Sequence, residues 1–136
     1  METLDYCREL LTSASLEFGT LVPRVVEWDK DYFAYVSDNT GEIYVNLSMS
    51  SSYKQCALLH EFSHHLTDHI FGNRLVHSIE FFFVLCEVAR WYYKGQLCKY
   101  PWNLEYKRIQ SWHKKYQGEV PIEFLFKMNF MCTKAS

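Results

Sequence analysis

The 136 residues carry 49% hydrophobic and 18% aromatic side chains, which excludes a disordered chain and predicts a single domain over residues 1–136. No run of eighteen apolar residues occurs, and the first ten residues lack the basic flank of a signal peptide, so we expect a cytoplasmic protein that does not enter a membrane. The net charge is −2, but residues 91–136 hold eight bases and three acids, so a polyanion would bind this C-terminal third.

The first half of the chain changes from a helical to an extended pattern. Residues 3–18 place apolar side chains at helical spacing before a glycine, which predicts an amphipathic helix. Residues 21–48 are rich in β-branched and aromatic residues and contain a turn signal at 38–41, which predicts a small antiparallel sheet. Residues 53–71 contain neither glycine nor proline and predict a second helix that ends at Gly72.

The second half is mostly helical in pattern. Residues 77–93 predict a helix that is apolar nearly all round, and hence the most buried element. Residues 104–116 predict a basic helix, and residues 120–131 form a last apolar segment whose type stays open. Helices that flank a separate small sheet predict the α+β class.

A histidine-rich pattern lies on the second predicted helix. The segment His60-Glu61-Phe62-Ser63-His64 matches HExxH. Helical residues four apart differ by about 40° around the axis, so both imidazoles can reach one metal ion. Zn²⁺ accepts two histidines and a third protein ligand, and it lowers the pKa of a bound water to about 7. Glu61 can take the proton of that zinc-bound water and pass it to a leaving amine. The pattern therefore predicts a zinc peptidase, the alternative being a chance match on a histidine-rich helix.

The third ligand has four candidates along the chain, which are His69, His77, Glu80 and Glu87. On a straight helix His69 lies about 140° around the axis from His64, so the two cannot bind one ion. His77 begins the next predicted helix after a short turn. If that helix ran antiparallel to the HExxH helix, its first residue would lie near the metal. Glu80 or Glu87 would be the ligand in an arrangement that follows HExxH with a distant glutamate.

Other histidine arrangements on this helix are less compatible with a metal site. His65 and His69 form a second pair four residues apart without an acid in the position of Glu61, and we expect them on a solvated face or behind the ligands rather than at a second metal site. Thr67 and Ile70 stand where a metzincin has glycine and histidine, which excludes that class.

The segment HEFSHHLTDHIFGNRLVHSIEF resembles the metal-binding region of the SprT-like, or Spartan-type, zinc metallopeptidases. In that family HExxH is followed by a third histidine, at a spacing like that between His64 and His77 here, in an HGxEF or HGxEW type of sequence. The resemblance implies a zincin-like domain with zinc ligands His60, His64 and His77 and with Glu61 as general base. Ser78 stands where the family usually has glycine, and no zinc ribbon follows, so we expect a minimal catalytic core.

These observations favour His77 over the two glutamates. A histidine at the start of an apolar helix otherwise needs another polar partner. Glu80 would then interact with the first turn of its helix or orient a ligand. Glu87, deep in an apolar helix, would pair with Arg90.

Two segments are candidates for contacts with substrate or partner. The strand around residues 44–46, just before the active helix, would pair with the extended backbone of a protein or peptide substrate. Residues 99–116 interleave basic with aromatic side chains, a composition that suits single-stranded DNA. The members are Lys99, Lys107, Arg108, Lys114 and Lys115, with Tyr100, Trp102, Tyr106, Trp112 and Tyr116. The alternative is an amphipathic helix with buried rings and solvated lysines.

The SprT-like resemblance also implies activity on DNA-associated proteins. The sequence as a whole predicts a zinc-dependent endopeptidase. The alternative is a non-catalytic zinc-containing protein that binds a partner or nucleic acid.

Overall fold

The computed structural model describes residues 4–30, 34–37, 40–48, 54–72, 78–94, 100, 102 and 107. Three helices and three short strands occur in these ranges, which confirms the α+β class. In chain order the elements are α1 (Leu4–Phe18), β1 (Val25–Glu27), β2 (Ala34–Val36), β3 (Ile43–Val45), α2 (Lys54–Phe71) and α3 (Ile79–Tyr93). The chain divides into two compact units, Met1–Leu75 and Val76–Ser136. The single domain over residues 1–136 stays a prediction.

The helices begin and end within two residues of their predicted bounds, because local signals define them. After α1, Gly19 adopts a positive φ of 67°, and the N–H of Thr20 donates to the carbonyl of Ser15 across the turn (3.1 Å). After α2, Gly72 has a φ of 75° and donates its N–H to the carbonyl of Asp68 (2.8 Å). Glycine reaches this left-handed region without steric cost, so both helices stop at their glycine. None of the helices in the described ranges has the length and apolar composition needed to cross a membrane.

The sheet differs from the predicted one in strand direction. Its order is β1-β3-β2: β2 runs antiparallel to β3, but β1 runs parallel to β3. The prediction of an antiparallel sheet over residues 21–48 was therefore wrong for β1. The turn between β2 and β3 lies where the turn signal predicted it, with the N–H of Gly41 donating to the carbonyl of Ser37 (2.9 Å). β1 and β2 follow one another in the chain but lie on opposite sides of β3.

The core of the first unit lies between one face of the sheet and two helices. α2 packs against β2 and α1, and α1 packs against β1. The buried strand residues are Val25, Val36, Ile43 and Val45, and the buried apolar residues of α2 include Leu58, Leu59, Phe62 and Leu66. The ring of Phe62 lies 6.2 Å from that of Phe18 at the end of α1. Full burial of each such side chain contributes about 1.5–3 kcal/mol, so the helix with the HExxH pattern is anchored firmly.

In the second unit, α3 has an exposed stripe that its sequence did not predict. Phe83, Glu87 and Arg90 recur at helical spacing and are exposed, so one side of the helix is not buried. Ser78 caps the first turn by accepting the N–H of Phe81 (3.1 Å). The other buried members of α3 are Phe82, Val84, Leu85, Cys86, Val88 and Ala89.

Candidate metal centre

The motif residues lie in the middle of α2, within the buried part of the first unit. His60 and Glu61 are each 9% exposed, and His64 is 6% exposed. Their helix is held by the apolar neighbours Leu59 and Phe62, which are fully buried. Polar groups at this depth need polar partners.

The two histidines and the glutamate form a compact group. One ligand atom from each of His60, Glu61 and His64 lies within 4.8 Å of the other two. The imidazole centroids of His60 and His64 are 4.9 Å apart, with the ring planes at 71°. Two nitrogens bound to one tetrahedral zinc are about 3.4 Å apart, a separation that lies within the 4.8 Å limit of this group. Imidazole nitrogens suit Zn²⁺, so the two histidines fit this ion.

Glu61 makes a contact that the sequence did not predict. Its Oε1 accepts the backbone N–H of Val36 at 3.0 Å, while its Oε2 lies 3.7 Å from Nε2 of His60. Val36 belongs to β2, an edge strand of the sheet. No sequence signal could have identified this contact, because every residue except proline carries the same backbone donor.

The hydroxyl side chains on this part of α2 are used within the helix. Ser63, inside the motif, donates to the carbonyl of Leu59 (2.7 Å), and Thr67 donates to the carbonyl of Ser63 (2.6 Å). Both hydroxyls are fully buried. These bonds turn both hydroxyls towards the helix backbone.

His65 and His69 differ in surroundings. Nε2 of His65 lies 3.0 Å from the carbonyl oxygen of Leu21 and 3.4 Å from Oγ1 of Thr20, which ties α2 to the segment after α1. Desolvation by burial lowers the pKa of His65, and the nearby His69 adds to this, whereas the bond to Leu21 and the charge of Asp68 oppose it. His69 is exposed, as expected for a solvated face. In the described ranges, only His60, Glu61 and His64 form a potential ligand group of three or more.

The three remaining candidates for the third ligand all belong to the second unit. His77, the predicted ligand, lies outside the described residues. Glu80 stands in the first turn of α3, where its charge suits the helix N-terminus. Glu87 forms an ion pair with Arg90, as predicted, but both side chains are about half exposed, so the expectation of a deeply buried Glu87 was wrong. The identity of the third ligand stays a prediction.

The strand before α2 cannot offer its edge to a substrate. β3 contains Tyr44 and Val45 and ends just before Asn46; it is the central strand and pairs with β1 on one side and with β2 on the other. The predicted substrate contact there was wrong, because both hydrogen-bonding edges of β3 are already paired. The side chain of Tyr44 lies on the sheet face opposite Ile43 and packs against Trp28, with ring centroids 5.3 Å apart.

Two rings of the aromatic and basic segment are buried. Tyr100 is 1% exposed and Trp102 is 2% exposed, with their ring centroids 4.6 Å apart. Trp102 also meets Phe82 of α3 edge-on at 6.5 Å. These two rings therefore belong to the core of the second unit and cannot stack on bases. Lys107 is exposed, and the other residues named for DNA binding lie outside the described ranges.

The structure describes three buried thiols, Cys7, Cys56 and Cys86, and none of them forms a disulfide. Comparison of the chain with protein-family models, with curated proteins and with solved structures gives no match.

Proposed function

We propose that this protein is a zinc-dependent endopeptidase. The observation that carries the proposal is the buried group of His60, Glu61 and His64, whose potential ligand atoms lie within 4.8 Å of one another. A purely structural zinc site is normally closed by four protein ligands and has no use for a carboxylate beside the first histidine. The similarity to SprT-like peptidases in sequence supports the same function.

Each residue of the group has a distinct role in this proposal. His60 and His64 hold the ion, and a third ligand comes from His77 or, failing that, from Glu80 or Glu87. When bound, zinc supplies a Lewis acid and lowers the pKa of water to about 7. Glu61 accepts a proton from the water whose oxygen attacks the scissile carbonyl carbon, and it returns that proton to the amine nitrogen as the C–N bond breaks. The substrate is a protein or peptide, and proteins associated with DNA are the proposed class.

A catalytic assay tests the proposal directly. Wild type, loaded with zinc, is expected to cleave an unfolded protein, and a zinc chelator is expected to abolish cleavage until zinc is restored. A Glu61→Gln variant should retain zinc and lose cleavage, because the amide cannot accept the proton. A His69→Ala variant is the matched control, since this exposed histidine lies on the same helix. Equal cleavage by wild type and Glu61→Gln would refute the proposal.

The third ligand requires its own measurement. Zinc per chain after dialysis is expected to be about one in wild type and clearly lower in His77→Ala. Retention of zinc in His77→Ala, with loss in Glu80→Gln or Glu87→Gln, would move the ligand to a glutamate. It would also remove the residue on which the SprT-like resemblance depends most.

The hydrogen bond between Glu61 and Val36 favours a second candidate function. A buried carboxylate that accepts a strand N–H also serves to join a helix to a sheet. The protein would then be a non-catalytic zinc-containing module that binds a protein partner or nucleic acid. One zinc per chain without cleavage of any unfolded protein would support this candidate over the peptidase.

A further inference from the structure

We infer that the backbone N–H of Val36 positions Glu61 by binding its Oε1, so that Oε2 is the oxygen that accepts the proton. The inference rests on the proposed peptidase function and adds a positioning group to it. The positioning N–H belongs to the sheet, whereas His60, Glu61 and His64 all belong to α2.

The direction of the Val36 N–H follows from the pairing of β2 with β3. The N–H of Ser37 donates to the carbonyl of Glu42 on the β3 side (2.9 Å). Along an antiparallel strand, successive N–H groups alternate in direction, so the N–H groups of Ala34 and Val36 point away from β3. In the described part of the sheet β2 is an edge strand, so no strand pairs with this outer side, and Glu61 of α2 accepts the N–H of Val36 there.

The contact holds the carboxylate in one orientation. The terminal torsion of a glutamate has broad preferences, so an unanchored carboxylate rotates freely. A bond of 3.0 Å from a donor that is itself part of a sheet fixes Oε1. Oε2 then lies on the side of His60, 3.7 Å from Nε2 of that ligand. An acceptor held beside the ligand nitrogens is pre-arranged for proton transfer, and a displacement of about 1 Å can reduce a rate about 100-fold.

Proline substitution can remove this donor without breaking the sheet. Proline lacks the N–H but is tolerated on an edge strand where that N–H faces outwards. Val36→Pro therefore removes the bond to Glu61 without removing a β2–β3 ladder bond, although it also replaces the buried side chain of Val36. Ala34→Pro is the matched control, because it removes an outward N–H from the same strand two residues away.

Amide exchange supplies a readout that does not depend on activity. In wild type and in Glu61→Gln, the amide proton of Val36 should exchange slowly, because a carboxylate or an amide oxygen can accept it. In Glu61→Ala it should exchange at least about tenfold faster, since an unbonded amide loses its protection. The Ala34 amide is the internal control and should not change. Equal exchange of the Val36 amide in wild type and Glu61→Ala would overturn the inference.

Kinetics separate positioning from a merely structural contact. For Val36→Pro we expect kcat to fall about 10- to 100-fold, with KM and zinc per chain within twofold of wild type. Ala34→Pro should keep kcat within twofold. An unchanged kcat in Val36→Pro, or an equal fall in both proline variants, would overturn the positioning role. If Val36→Pro does not fold, the exchange measurement decides in its place.

The two proposals can fail separately. If wild type cleaves nothing while the Val36 amide is protected by Glu61, the contact is a structural link and the positioning role is overturned together with the peptidase. If wild type cleaves and the Val36 amide is unprotected, the peptidase stands and only the positioning role is overturned.

Discussion

Zinc should stabilise the folded protein through His60 and His64. An ion that binds only the native state adds RT ln(1 + [Zn²⁺]/Kd) to the free energy of unfolding, which is about 2.7 kcal/mol when free zinc is 100 times Kd. For a chain of this length, 1 kcal/mol shifts Tm by about 3–5 °C, so the expected rise is about 8–14 °C. Zinc binding by histidines and thiols of the unfolded chain would reduce this rise.

The structure specifies which variants should lose the effect. His64→Ala removes one of the two imidazoles from the group of His60, Glu61 and His64, so the zinc-induced rise in Tm should largely disappear. In His69→Ala the rise should equal that of wild type, because this exposed side chain is not part of the group. His64 is buried, so its replacement changes Tm by itself. The quantity to compare is therefore the difference between zinc-loaded and chelator-treated samples of each variant.

Thermal unfolding followed by circular dichroism, in the presence of a reductant and at several zinc concentrations, measures this difference. An equal zinc-induced rise in wild type and His64→Ala would show that the ion binds elsewhere. The absence of any rise in wild type would refute the metal centre itself, and the peptidase proposal with it.

Three further predictions concern stability. Phe62→Ala should lower the free energy of unfolding by about 3–5 kcal/mol in denaturant titrations, because it removes a fully buried ring beside Phe18; a loss below about 1 kcal/mol would contradict the packing. Burial lowers the pKa of His65 below its usual 6.5, so the unfolded state binds the proton more readily. Stability of the chelator-treated protein should therefore be full above about pH 6.5 and fall as the pH drops through that value, and His65→Gln should show a smaller fall. Arg90→Ala should change the free energy of unfolding by less than about 1 kcal/mol, because its ion pair with Glu87 is exposed; a larger change would show that Arg90 has a further role.

The helices and the placement of the HExxH group could be predicted from the sequence. A helix is defined by contacts within about four residues, so the apolar spacing in α1 and the glycine after α2 were sufficient signals. The same periodicity places His60 and His64 on one face of α2, wherever that helix packs. The class of fold and the placement of the two histidines on one helix face follow from these local rules.

Tertiary structure decided the strand order, the direction of β1 and the partner of Glu61. Alternating side chains show which face of a strand is buried, but they do not show which strand lies beside it or in which direction it runs. The exposure of Glu87 was likewise missed, because helical spacing defines a face and only packing decides which face is covered. The Val36 N–H was beyond sequence reasoning for the same physical reason. Backbone donors are chemically alike, and only the folded sheet makes this donor outward-facing and within reach of a buried carboxylate.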